Sequence, residues 1–485
     1  MSSATDGLRQ LEARLATDLD YLELPSKSWV PPRHREGQRV WDVLFIGAGM
    51  CGLAGAARLK LAGVDNVVLY DAAPAGLEGP WETFARMQTL RSPKSLSGPA
   101  LGLPSLTFRA WYTAQYGVDG WEALDKIPKG QWMDYLRWYR RVLGLPVVNE
   151  TRMTGLADAG DGLVAVSLYD GTGERVEYCR HLVLATGRSG LGGGVVPGFL
   201  DGIDKRFWAH SADPVDFAAL AGKRVIVIGA GASAMDNAAT ALESGAAQVD
   251  MLIRRKEMPR VNKMTGIGSQ GVVHGMRVLP DAWKYRFVAY VNDQQVPPPR
   301  SSTLRVTRHE NARLFLGCPV ETVTETGDHV VAKTPFADFP ADFIIAATGF
   351  RNDFDGRAEL AAIAPHIKTW GDGPYRPEMG PTTPFMVDAP YLGESFEFLE
   401  KSAGDCPMLA RIHCFNDAAM LSHGKLSGDI PAISAGADRL MRGIVSELFV
   451  ADRKRHFEAL EAYDIPELEG DEWTDSTPSL TEAAE

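Results

Sequence analysis

Two glycine-rich turns, each set between an apolar run and an alanine-rich run, are the residues of this chain best placed to do chemistry. The first reads Gly47-Ala48-Gly49-Met50-Cys51-Gly52 and follows Val43-Leu44-Phe45-Ile46. The second reads Gly229-Ala230-Gly231-Ala232-Ser233-Ala234 and follows Val225-Ile226-Val227-Ile228. In such a turn the first glycine takes a strand tightly into a helix. The second lets the backbone approach a pyrophosphate, and the third position lets helix and strand pack closely, a place Ala234 can also fill. The helix start then offers free N–H groups and a positive dipole end to the phosphates. Downstream the two copies differ. The first leads to Leu69-Tyr70-Asp71 and the second to Leu252-Ile253-Arg254-Arg255. A carboxylate there accepts hydrogen bonds from ribose hydroxyls, whereas a guanidinium grips a ribose 2′-phosphate. Gly47, Gly49, Gly52 and Asp71 therefore read as one site, for a flavin or NAD-like dinucleotide. Gly229, Gly231, Ser233, Arg254 and Arg255 read as a second, for NADPH. Two redox dinucleotides on one chain imply electron transfer between them.

The remaining composition narrows the class. A chain of 485 residues with 45% hydrophobic content is expected to form two or three globular domains. A net charge of −12 and the lack of any basic block argue against nucleic acid as a partner. No apolar run approaches the roughly 20 residues of a membrane span. Met1–Asp6 lacks the layout of a signal peptide. The cysteines at 51, 179, 318, 406 and 414 are scattered and form no Cys-x-x-Cys pair. That fits a reducing cytoplasm and counts against a dithiol disulfide reductase. Cys51 reads as a packing residue. No Ser-His-Asp set and no metal-ligand spacing stands out, so no metal is expected. The expected partner is a small-molecule substrate, in a cytoplasmic protein that can form a homo-oligomer.

The elements that must hold the turns follow from periodicity and punctuation. Residues 1–37 read as an N-terminal extension, with Leu8, Leu11, Leu15 and Leu19 at helical spacing. A first nucleotide domain is expected over 38–205, including a meander at 164–186 that ends in Ala185-Thr186-Gly187. A second is expected over 206–338. Its segment at about 260–310, with Arg260, Lys263, four glycines and Pro297-Pro298-Pro299-Arg300, reads as an insertion near a substrate entrance or as a surface loop. The strand Phe343–Ala346 before Ala347-Thr348-Gly349-Phe350 is expected to return the chain to the first domain, over 339–463. Gly428-Asp429-Ile430-Pro431 announces a helix. The tail from Asp464 to Glu485 carries eight acids and no Lys or Arg, and reads as solvated.

Four features in this order resemble the flavin-dependent monooxygenases with separate FAD and NADPH domains: the first turn, Ala185-Thr186-Gly187, the second turn with Arg254-Arg255, and Ala347-Thr348-Gly349-Phe350. That group comprises the flavin-containing monooxygenases, the Baeyer–Villiger monooxygenases and the microbial N-hydroxylases. The resemblance covers about residues 40 to 450. Gly79-Pro80-Trp81 is similar to a loop beside the flavin in that group, and Gly428-Asp429 to a segment that meets the ribityl chain. One departure is plain. His210-Ser211 stands where the group's Phe-x-Gly-x-x-x-His ends, but Asp204 and Arg206 replace the Phe and Gly. His210 by itself reads as an organiser of the linker rather than a catalyst. The resemblance implies an α/β fold of two Rossmann-like domains, the NADPH domain inserted into the FAD domain. It implies FAD and NADPH as cofactors and O2 as co-substrate. One oxygen atom would pass from a flavin C4a-(hydro)peroxide to a small organic substrate, at nitrogen or sulfur. Alternatives are Baeyer–Villiger oxidation and electron transfer from NADPH through FAD to an external acceptor. Trp81, Gly428 and Asp429 would join the FAD site. Arg91 and Lys94, in the loop expected near the flavin ring, would be the catalytic cations, although ordinary surface charge explains them equally well.

Overall fold

The apolar run ahead of each glycine turn becomes the central strand of its own sheet. The computed structural model describes residues 2–373, 375 and 384–476. The N-terminal leucine stripe folds as α1 (Ser2–Tyr21) and buries Leu11 and Leu15 on the body of the protein. In the first body, β1 (Gln38–Ile46) enters α2 (Met50–Leu61), and the chain returns as β2 (Val67–Tyr70), parallel to β1. Val43, Leu44 and Phe45 are wholly buried, as a strand covered by helices on both faces requires. Helices α3 (Phe108–Ala123) and α4 (Lys129–Val142) follow, then β3 (Val147–Val148), parallel to β2. An antiparallel meander of β4 (Arg152–Gly160), β5 (Leu163–Tyr169) and β6 (Glu174–Leu184) brings β6 back parallel to β1.

The second body is a five-stranded sheet, all parallel. Strands β7 (Trp208–His210), β8 (Arg224–Ile228), β9 (Gln248–Ile253), β10 (Ala312–Leu316) and β11 (Phe343–Ala346) lie in the order β10-β9-β8-β11-β7. Helix α5 (Ala232–Glu243) runs from the second glycine turn. The expected boundary at 339 therefore needs correcting. Phe343–Ala346 stays in the second body and pairs with β8, Val225 opposite Phe343. Ile344, Ile345 and Ala346 are completely buried there, which an interior parallel position demands. The chain crosses back only after it, where Phe350–Asn352 pairs antiparallel with Gly192–Gly194.

The segment 260–310 is helical, with α6 (Asp281–Gln294) and α7 (Arg300–Thr307). Met276, Tyr285 and Val288 share a small core with Trp370, Met386, Ala389 and Leu421, tying the insertion to the returning chain. Strand β12 (Ile412–Cys414) then joins β6, and α8 (Ile433–Ala451) packs along α2. Residues 464–476 are exposed, and the rest of the acidic tail, 477–485, lies outside the described residues. No helix among those described is long and apolar enough to cross a membrane.

Candidate active site: the cleft between the two glycine turns

One cavity of about 1510 Å³ is walled by both turns. Of the residues singled out from sequence, it is lined by Gly47, Gly49, Asp71, Trp81, Arg91, Gly229, Gly231, Ser233, Arg254, Arg255, Gly428 and Asp429. Gly52 lies just behind. A methyl group there would sit 2.0 Å from the Gly47 carbonyl oxygen, so the turn closes only around glycine. Gly47 and Gly229 have φ of +103° and +127°, values that favour glycine. Both turn helices start on glycine, at Gly49 and Gly231, and neither is capped by a side chain. Their first N–H groups are thus available to phosphate.

The side chains at the ends of the strands that follow the two turns line the same cleft. Asp71 is fixed by N–H groups of Ala48, at 2.7 Å, and Ala73, at 2.8 Å. Burial raises its pKa while these bonds oppose the shift. Arg254 and Arg255 are both exposed at the cleft rim. Arg255 donates to the Asp293 carbonyl at 2.8 Å. Trp81 stands edge-on to Trp132, ring centres 6.2 Å apart. Asp429 pairs with Lys425 at 3.2 Å. A glycine cradle, uncapped helix starts and an anchored carboxylate suit the FAD pyrophosphate and ribose, and the second turn with its arginines suits NADPH.

The two expected catalytic cations part company. Arg91 opens into the cleft, where burial by the walls lowers its pKa and Asp236 opposes the shift. Lys94 does not line the cleft. Its ammonium donates to the Trp121 carbonyl at 2.6 Å and the Glu122 carbonyl at 3.3 Å, closing the C-terminus of α3. His210 is buried and structural. Its Nε2 donates to the Gly349 carbonyl at 3.0 Å, and its Nδ1 accepts from the Ala212 N–H at 3.2 Å. Burial lowers its pKa, in keeping with a neutral ring. Arg260, Lys263 and Arg300 do not line the cleft, whereas Val291, Asn292 and Gln295 of the insertion do.

Sequence reasoning missed four groups. Arg188 lies over the Phe350 ring, 5.7 Å from its centre, and interacts electrostatically with the half-buried Asp417, whose pKa desolvation raises. Its only signal was its place directly after Ala185-Thr186-Gly187. Asp236 and Asn237, in the second turn of α5, line the cleft at 2% exposure each. Among the described residues no set of three His, Cys, Asp or Glu could hold a metal ion. All five cysteines are buried, and none forms a disulfide.

Two glycine turns of the dinucleotide-binding form, facing one cleft, fit a flavoprotein of the two-dinucleotide oxidoreductase class. Comparison with known proteins gives the family. Residues 44–266 match the pyridine nucleotide-disulphide oxidoreductase family. The chain is 40% identical over 475 residues to the FAD-dependent urate hydroxylase of Xanthomonas campestris pv. campestris, covering 98% of this chain and 99% of that one. Among solved structures, the ornithine hydroxylase PvdA of Pseudomonas aeruginosa superposes with a TM-score of 0.65 at 15% identity, over 84% of this chain and all of that one. The ornithine N-hydroxylase KtzI of Kutzneria sp. 744, described with reduced FAD, NADP+ and L-ornithine, gives 0.64 at 15% identity, over 84% of this chain and 99% of that one. The protein belongs to the family of the FAD-dependent urate hydroxylase. It is a flavoprotein monooxygenase of the FAD-dependent type.

Proposed function

We propose that this enzyme hydroxylates urate, or a closely related oxidised purine, with NADPH as the hydride donor. The observation that carries the reading is its 40% identity over nearly the whole length of a urate hydroxylase. In this proposal oxygen goes to a ring carbon rather than to the nitrogen or sulfur expected above. The Baeyer–Villiger and external-acceptor readings rank behind it.

Gly47, Gly49, Gly52, Asp71, Trp81, Gly428 and Asp429 would hold FAD. Gly229, Gly231, Ser233, Arg254 and Arg255 would hold NADPH. Bound flavin supplies hydride acceptance and oxygen activation, so the chain needs no nucleophile of its own. Arg91 and Arg188 both open into the cleft, and Arg188 contributes to lowering the Arg91 pKa. They can meet the carbonyl edge of a planar purine anion with forked N–H pairs. Phe350 and Phe385 supply aromatic surface to the cleft. Leu90, Met50 and Met420 limit water.

The test is a substrate screen on the FAD-loaded enzyme. NADPH oxidation should be stimulated by urate, with loss of the urate ultraviolet band in equal molar amount. Stimulation by an amine, amino acid or sulfide, with urate inert, would overturn the substrate reading.

A further inference from the structure

The insertion at 260–310 has a use that the dinucleotide sites do not explain. Its helix α7 packs along α5 and buries Arg305, which is 7% exposed. That one guanidinium holds three partners. Its Nε and Nη2 donate to the two carboxylate oxygens of Glu243, at 3.0 and 2.7 Å, at the end of α5. Its Nη1 lies 3.5 Å from Asp236, in the second turn of α5. The same Nη1 crosses to the first body and donates to the Arg86 carbonyl at 3.2 Å. The Arg86 side chain reinforces the crossing by lying over the ring of Phe217 in the second body, 5.2 Å from its centre. Arg86 belongs to the loop that carries Arg91 into the cleft, and Asp236 also attracts Arg91 electrostatically. A lysine could supply the charge but not the fork plus the carbonyl bond.

We propose that Arg305 is a positioning residue that registers the NADPH-binding body against the Phe84–Arg91 loop of the FAD body. Hydride donor and acceptor then meet in a fixed relation. The inference rests on the reading of NADPH as donor, and it gives the insertion a mechanical role in place of substrate capture. Misplacement of reacting centres by about 1 Å is worth roughly 100-fold in rate. The nucleotide contacts themselves lie elsewhere, on the glycine turn and on Arg254.

The test pairs Arg305→Lys and Arg305→Met with Glu243→Gln. The last removes one charge without leaving two carboxylates facing each other, so it guards against a variant that does not fold. In anaerobic stopped flow, the limiting rate of flavin reduction should fall about tenfold or more in Arg305→Met. Glu243→Gln should fall less, and Arg305→Lys should recover part of the loss. The Kd for NADPH and the FAD content should stay within about twofold of wild type. Independently of turnover, hydrogen exchange of the Phe84–Arg91 amides in the FAD-loaded protein should speed up, with none over the first glycine turn. A folded Arg305→Met enzyme with unchanged reduction rate, or with unchanged loop exchange, overturns the proposal. If NADPH fails to reduce wild type, the donor reading falls, and the exchange result alone decides whether Arg305 tethers the loop.

Discussion

Gly231→Ala separates what the fold needs from what the dinucleotide needs. A methyl group at Gly231 meets no protein atom within 4 Å. The backbone there, φ −75° and ψ −178°, is open to any residue. Alanine at a helix N-cap costs about 0.5–1 kcal/mol. Stiffening the unfolded chain returns about 0.4–1 kcal/mol. Folding stability should thus be unchanged, with a Tm shift below about 2 °C. The ligand has no such compensation. The methyl group occupies the space through which a pyrophosphate would reach the N–H groups of α5. Losing one charge-assisted hydrogen bond, worth about 1.5–3 kcal/mol, weakens NADPH binding by about 10- to 100-fold. The assay is anaerobic reduction of the bound flavin against NADPH concentration, which yields Kd, beside a thermal melt. Gly52→Ala is the counterpart. Its methyl would lie 2.0 Å from the Gly47 carbonyl, so the protein alone is destabilised, by about 3 kcal/mol, and FAD is lost. An unchanged Kd for NADPH in a stable Gly231→Ala enzyme would refute the placement of a pyrophosphate at that turn.

Arg254→Ala should raise the KM for NADPH about tenfold and leave that for NADH unchanged. Arg255→Ala should do less, because Arg255 is already engaged with the Asp293 carbonyl; equal losses with both nucleotides would contradict a 2′-phosphate contact. Lys94→Met should lower stability by about 1–2 kcal/mol, through the end of α3 and the Trp121 ring, and leave kcat intact. A large fall in kcat at unchanged Tm would return Lys94 to the chemistry. His423, buried beside Arg439, has its pKa pushed down to about 3 by burial first and Arg439 second. The unfolded chain, with its histidine near pKa 6.5, takes up more protons between those values. Stability should therefore be complete above about pH 6.5 and fall on acidification, by about 2 kcal/mol at pH 5 from this residue. Melts of His423→Gln at pH 7.5 and pH 5 should show a smaller acid loss than wild type, and an equal loss would remove His423 as a cause.

The parts of the site that were legible in the sequence are those whose geometry demands a residue type. Positive φ and a backbone contact leave only glycine at Gly47 and Gly229, and the strand after each turn has a fixed length, so Asp71 and Arg254 could be placed by counting. The leucine stripe of α1 was readable because helical period and burial coincide. The sheet of Phe343–Ala346 was not, since four apolar residues suit either parallel sheet and only register decides. Lys94 was misplaced for a related reason. Position in a loop does not give side-chain direction, and a helix end 27 residues downstream captures its ammonium. Arg188, Asp236 and Arg305 gain meaning only when two bodies close on each other, and no local pattern carries that.

The most direct test of the account is a single turnover. FAD-loaded enzyme would be reduced anaerobically with NADPH, or with NADH, and then mixed with isotopically labelled dioxygen and urate. The account predicts much faster reduction by NADPH and a hydroxylated urate product carrying one labelled oxygen for each NADPH consumed. Recovery of urate unchanged, with all the labelled oxygen in hydrogen peroxide, would contradict it.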